Sequence, residues 1–259
     1  THGGSTSVLG PAPGGSGTRP EVRTGYSQLY AWYKNSAGVL VQAANPIWKP
    51  TTVSSCATGS APTCLGTADE SRTVTAYLQG WSGFGSNLVP YTVTRQAGNG
   101  SVTQVTTTYS DVRADLSGVD GPAPGSADLT YYYRGQMRDQ LAVVVEPDPD
   151  GAGPRKGRAT RMTYNADGTV ALVEQGSANP DHTGFVLVQQ VASTYDGWGR
   201  KLAERVQDSG GSTLSVTSYS FDGAGRPLCV TTRMNPSVYA SLPAQACTLS
   251  SQGAFGKDR

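Results

Sequence analysis

Short runs in which apolar and polar side chains alternate, separated by clusters of turn-forming residues, fill the chain from residue 21 onward. A period of two is the mark of half-buried β-strands. The clearest case is YTVTRQAGNGSVTQVTTTY (Tyr91–Tyr109). Two Thr/Val-rich runs meet there at Asn99-Gly100, a pair suited to the type I′ turn of a tight hairpin. Asn99-Gly100-Ser101 is also a glycosylation sequon, although turn chemistry alone accounts for it. Farther on, Val191, Ser193 and Tyr195 face one way on an incoming strand. Leu202, Glu204 and Val206 share one face of the next strand, with Lys201, Ala203 and Arg205 on the other. No segment carries a helical period. Asn235–Cys247 has room for one short helical turn before Pro243 stops it. The pattern predicts an all-β protein.

The turn joining those last two strands occurs twice. TYDGWGRKL (Thr194–Leu202) and SFDGAGRPL (Ser220–Leu228) each place an aromatic, an Asp, then Gly-Arg, with Leu two residues after the Arg. Asp196 and Asp222 open the turns, where a carboxylate accepts backbone N–H groups that the bend leaves unpaired. Gly199 and Gly225 supply the positive φ needed near the end of a four- or five-residue hairpin loop. Arg200 and Arg226 begin the outgoing strands, within reach of an ion pair across the turn. Leu202 and Leu228 follow. A weaker copy starts at Tyr164, with Asn165 for Asp, Gly168 for Gly and Thr169 for Arg. A still weaker one keeps only the spacing of Tyr133 and Arg138, with Arg134 where Asp is expected. The anchors Tyr133, Tyr164, Tyr195 and Phe221 leave room for two strands and a variable loop per unit. The repeat therefore reads as architecture, and neither Asp196 nor Asp222 reads as catalytic.

These turns resemble the YD repeat of the Rhs (rearrangement hotspot) proteins. So do VDGPAPGSADLTYYY, VVEPDPDGAGP, ATRMTYNADGTVALVEQG and RMNPSVYASLPAQACTL. The resemblance covers roughly residues 75–259, while residues 1–70 match no known motif. It implies tandem antiparallel β-hairpins joined edge to edge into a twisted or spiralling strip. In that family the strip forms a hollow shell around a C-terminal toxin or, in animal teneurins, part of an adhesion receptor. The shell is not an enzyme. Some members free their cargo at an aspartyl self-cleavage segment beyond the repeats, and no such segment occurs in this sequence. GAFGKDR, at the end, reads as a repeat junction with the strip continuing beyond it.

Three regions are expected: a flexible Gly/Ser/Pro-rich tail at 1–20, a β-rich region at 21–90, and the strip at 91–259. The 259 residues carry a net charge of +1 and only 15% charged residues, against roughly 25% in an average domain. Nothing here attracts nucleic acid. No apolar run is long enough for a membrane-spanning helix. Gly and Pro, 33 and 16 residues, are frequent but below the level of a disordered chain.

Cys56, Cys64, Cys229 and Cys247 form two local pairs, which suggests disulfides Cys56–Cys64 and Cys229–Cys247 and hence an oxidising compartment. Other connectivities and buried free thiols remain alternatives. The spacings do not suit zinc.

Other chemistry is sparse. The two histidines, His2 and His182, lie in the tail and in a polar turn. EPDPDG (Glu146–Gly151) begins like a calcium loop but lacks the acid at its last position. Arg155, Lys156, Arg158 and Arg161 make a basic stretch that reads as solvated. Trp32, Trp48, Trp81 and Trp198 could offer a sugar platform, but space-filling between sheets is the simpler reading. No cofactor motif occurs. The sequence thus points to a non-enzymatic repeat segment of a secreted or bacterial cell-surface protein, without cofactors. Its partners would be further repeats of the same chain, copies of itself through edge strands, or an enclosed toxin. The alternatives are an adhesin that binds glycan or protein, and a self-assembling extracellular filament.

Overall fold

The computed structural model describes all residues except 1–3, 5, 16, 57–62, 112, 114, 126, 136–139 and 152. Arg138 and His2 lie outside the described residues. The fold is all-β and antiparallel, as the alternation predicts. The only helical elements among the described residues are the 3-10 turns Pro13–Gly15 and Pro236–Val238. The second is the short turn expected in Asn235–Cys247, capped by the Asn235 side chain. No helix among the described residues is long and apolar enough to cross a membrane.

The chain divides into two compact units, Thr1–Thr130 and Tyr131–Arg259. The first contains β1 (Ser7–Leu9), β2 (Glu21–Leu29), β3 (Trp32–Lys34), β4 (Leu40–Gln42), β5 (Ile47–Cys56), β6 (Glu70–Tyr77), β7 (Pro90–Ala97), β8 (Thr103–Ser110) and β9 (Leu116–Asp120). Its sheet runs β1-β2-β5-β6-β7-β8-β9, and β3 and β4 form a separate hairpin. Part of the segment read as a tail is thus a strand: Ser7–Leu9 pair with Glu21–Arg23. At the β7–β8 turn, Asn99 and Gly100 occupy different roles from those of a two-residue type I′ turn. Gly100 N–H bonds to Ala97 O and Ala97 N–H to Val102 O. Only Gly100 has a positive φ there. Asn99 instead uses its Oδ1 to accept the Ser101 N–H, which a right-handed residue in a longer loop can do.

The second unit opens at Tyr131 within β10 (Thr130–Arg134), followed by β11 (Leu141–Val145). It continues through β12 (Gly157–Tyr164), β13 (Val170–Ala178), β14 (Val186–Tyr195), β15 (Lys201–Asp208), β16 (Thr213–Phe221) and β17 (Pro227–Arg233). Each strand pairs with the next in chain order. Its core is small. Val143, Val145, Ala159 and Ala178 are buried, and Tyr131, Tyr133, Ala142 and Phe185 pack against them. Here Tyr133 is a core residue as much as a repeat anchor. Its ring lies against Tyr131 and His182, and its hydroxyl donates to Pro180 O.

Both disulfides, Cys56–Cys64 and Cys229–Cys247, are formed. The second ties the irregular segment after β17 back onto the sheet. This segment covers one face of β16 and β17: Ala246 N–H bonds to Ser220 Oγ, and Ala246 O accepts from Thr231 Oγ1 and from Arg233. Beneath it Arg233 is fully buried and pairs with Asp258 at 2.9 Å. Arg259 and Thr232 exchange two backbone hydrogen bonds. Asp258 and Arg259 of the GAFGKDR stretch are thus held against β17.

Candidate functional site

The most distinctive constellation is the hairpin turn that links β14 to β15 and β16 to β17. In the first, Asp196 N–H bonds to Arg200 O and Gly199 N–H to Asp196 O. Only Gly197–Gly199 bridge this closing pair, so the loop is shorter than the four or five residues expected. Gly199 has φ 76°, the left-handed residue that ends a three-residue loop. Asp196 Oδ1 accepts the N–H groups of Trp198 and Arg200, while Oδ2 takes the Arg200 guanidinium at 2.6 Å. The Asp222 turn repeats every one of these bonds, with Gly225 at φ 82° and Arg226 at 2.7 Å. Both carboxyls sit below the ordinary carboxylate range. For Asp196, burial acts upward and is outweighed by the Arg200 and Trp198 hydrogen bonds. For Asp222, hydrogen bonds from the Arg226 backbone and side chain lead. Each carboxylate is thus occupied by its own turn, which leaves it ill placed as a general base.

The Tyr164 copy has the same backbone. Asn165 N–H bonds to Thr169 O and Gly168 N–H to Asn165 O. A different side-chain set closes it. Asn165 Nδ2 donates to Thr169 Oγ1, which donates to Asp167 Oδ1, and Asp167 also accepts the Thr169 N–H. Losing Asp and Arg therefore does not lose the hairpin. Sequence comparison missed further loops of this form. Asn179-Pro-Asp-His-Thr, between β13 and β14, repeats the Asn–Thr–Asp set, with His182 at φ 57° in the glycine position. Asp208–Ser212 and Asn35–Val39 close in the same way around Gly211 and Gly38. The signal that finds the Asp208 and Asn35 loops is Asp or Asn, then Gly three residues on, without the preceding aromatic, whereas the Asn179 loop carries His182 where that glycine would stand.

The aromatic has its own task. Tyr164 Oη donates to Leu141 O, and Tyr195 Oη donates to Val170 O. Each reaches the first residue of the previous hairpin's outgoing strand. Phe221 has no hydroxyl, and there the Arg200 guanidinium lies 4.9 Å from its ring centre. Arg200 also lies over Trp198 and is 26% exposed, whereas the Arg226 side chain is 80% exposed. Beside each anchor the ladder shifts register, between Thr163 and Tyr164, Thr194 and Tyr195, and Ser220 and Phe221. The unpaired residues at these bulges are Ala171, Leu202 and Leu228. The motif leucines are consequently 41% and 58% exposed. Their conspicuous apolarity does not make them core.

Two predictions arise here. Gly199→Ala is expected to cost about 1–2 kcal/mol, the penalty of a Cβ in left-handed backbone, since its site is otherwise in ordinary contact with Thr169 alone. Urea unfolding measures it. Tyr195→Phe is expected to cost about 1 kcal/mol and to speed hydrogen exchange where β13 meets β14, while the Asp222 turn exchanges as before.

The other sequence candidates have structural partners. Glu146 lies 3.8 Å from Arg158, and Asp148 and Asp150 accept the N–H groups of Asp150 and Arg155. Lys156 donates to Gly184 O, and Arg161 pairs with Glu174 while covering the Phe185 ring. Asp69 lies near the sulfurs of Cys56 and Cys64, but their bond removes both as thiolate ligands.

No family model and no curated protein matches this chain. Among solved structures it is similar to a crystal structure of TcdB2-TccC3 without its hypervariable C-terminal region. That match has 11% identity, covers 83% of this chain and 14% of that one, and has a TM-score of 0.37. Crystal structures of TcdB2-TccC3-Cdc42 and of TcdB2-TccC3 match at 11% identity and a TM-score of 0.24. They cover 93% and 92% of this chain and 17% and 19% of theirs.

Proposed function

We propose that this chain is a non-catalytic structural segment of a secreted or cell-surface Rhs-like protein, built to extend a β strip that encloses or displays another polypeptide. The observation that carries the reading is the joint between hairpins. Each closing turn satisfies its own polar groups, and the anchor aromatic then fixes that hairpin to its predecessor. Such a unit buries little alone and gains stability from neighbours on both sides. Its partners would be further repeats, copies of itself, or an enclosed cargo. Two disulfides favour an oxidising compartment. Electron cryomicroscopy of the full-length gene product tests the proposal. Polypeptide density enclosed against one face of β10–β17 is expected. Bulk solvent on both faces, with no second chain segment against either, would overturn it.

A further inference from the structure

The first unit holds a groove that the repeat architecture does not require. It lies between the β3–β4 hairpin and the segment joining β6 to β7. That segment is firmly built. Trp81 and Phe84 exchange two backbone hydrogen bonds, Trp32 and Ser86 exchange two more, and Leu78 N–H bonds to Val89 O. Ser86 Oγ donates to Leu78 O and accepts the Leu88 N–H. Leu88 is 1% exposed and has φ 58°, a conformation that a branched side chain adopts only when its surroundings impose it. Gly80 sits so close to Trp32 that a Cβ would lie 2.4 Å from the tryptophan Cβ. The backbone is thus held in one shape, as a binding surface must be.

What it frames is an open groove of about 470 Å³, lined among others by Trp32, Tyr33, Lys34, Phe84, Asn87 and Arg113. Trp81 stacks on Phe84 with centroids 4.9 Å apart. Trp81 is 55% exposed and Tyr33 52%. Filling space explains Trp32, which packs on Gly80, but not rings left half in water. Lys34, an exposed side chain of the lining, is cationic. Aromatic faces beside an amide and the Lys34 ammonium suit a ligand with apolar C–H faces, hydroxyls and negative charge. We propose that this groove binds a carboxylated saccharide, of the uronic-acid class. A few placed polar groups in an aromatic pocket of this size are the usual form of a small-ligand site.

This inference concerns residues of the Thr1–Thr130 unit and does not rest on the shell reading. Tryptophan fluorescence of the whole chain, titrated with galacturonate, glucuronate and guluronate trisaccharides, tests it, with maltotriose as neutral control and a proline-rich peptide as competing chemistry. At least one acidic trisaccharide is expected to saturate, with Kd on the order of 0.1–1 mM and weakening as salt rises. Tyr33→Ala and Lys34→Gln alter exposed side chains and should each weaken it by roughly tenfold, about 1.4 kcal/mol, with circular dichroism unchanged. Saturation by none of the acids, equal binding of maltotriose, or binding of the peptide alone would each overturn the proposal.

Discussion

Asp258→Ala is expected to destabilise the second unit by about 3–5 kcal/mol, the cost of leaving a buried charge without its partner. The Arg233 side chain has 0% exposure and that of Asp258 2%. Arg233 also donates to Ser218 Oγ and to the carbonyls of Thr248, Gln245 and Ala246. None of these partners carries charge, so removing Asp258 strands the guanidinium under the cap. Equilibrium urea unfolding followed by hydrogen exchange in β16 and β17 reads the loss. A change under about 1 kcal/mol would mean that the carbonyls alone hold the arginine, as neutral hydrogen bonds of that size would allow. The paired replacement Arg233→Met with Asp258→Leu should cost less than the single one, because it buries no charge.

The same pair sets an acid limit. Burial alone would raise the Asp258 carboxyl, but hydrogen bonds from Ser250, Met234 and Arg233 outweigh it and hold the group far below the carboxylate range. The folded value is therefore below the unfolded one. Its contribution is fully present above the unfolded value, about pH 4, and is lost as pH falls through the folded value. Asp196 and Asp222 are shifted in the same direction. A plot of stability against pH should turn downward below about pH 4, and less steeply in Asp258→Ala.

The hairpins were legible because their signals are local. An Asp that must satisfy N–H groups two and four residues away, and a glycine that must take positive φ, leave a fixed spacing in the sequence. The loops at Asn179 and Asp208 use the same physics but lack the aromatic, so the search pattern excluded them. Leu202 and Leu228 were legible as letters but not in role. Alternation assigns Leu202 a face, whereas the three-residue loop forces a bulge that takes it out of the ladder. Arg233 was invisible for another reason. It ends a strand whose inward positions are Cys229 and Thr231, and an arginine there reads as solvent-facing. The groups that bury it lie 12 to 25 residues away in irregular chain, where no period announces packing. The groove beside Trp32 escaped likewise, because the wall that faces the β3–β4 hairpin is loop backbone held by long-range bonds.

Breaking Cys229–Cys247 by Cys229→Ser with Cys247→Ser is expected to cost about 3 kcal/mol through loop-closure entropy, for a sequence separation of 18. Cys56–Cys64, with a separation of 8, should contribute nearer 2.5 kcal/mol by the same relation. Thiol titration of the unfolded, unreduced chain comes first, since any free thiol would remove the premise. The informative result is the coupling with Asp258→Ala. Cys247 adjoins Ala246, whose carbonyl accepts from Arg233 and whose N–H reaches Ser220. The disulfide and the ion pair therefore pin the same segment onto the same face of β16 and β17. Once the disulfide is gone, the cap can lift and let water reach Arg233, and an arginine in water no longer needs Asp258. The two losses combined should fall short of their sum by more than about 0.5 kcal/mol, the limit within which independent sites add. Strict additivity would show that the cap stays in place without its covalent tie, and that Arg233 is held under it by hydrogen bonds alone.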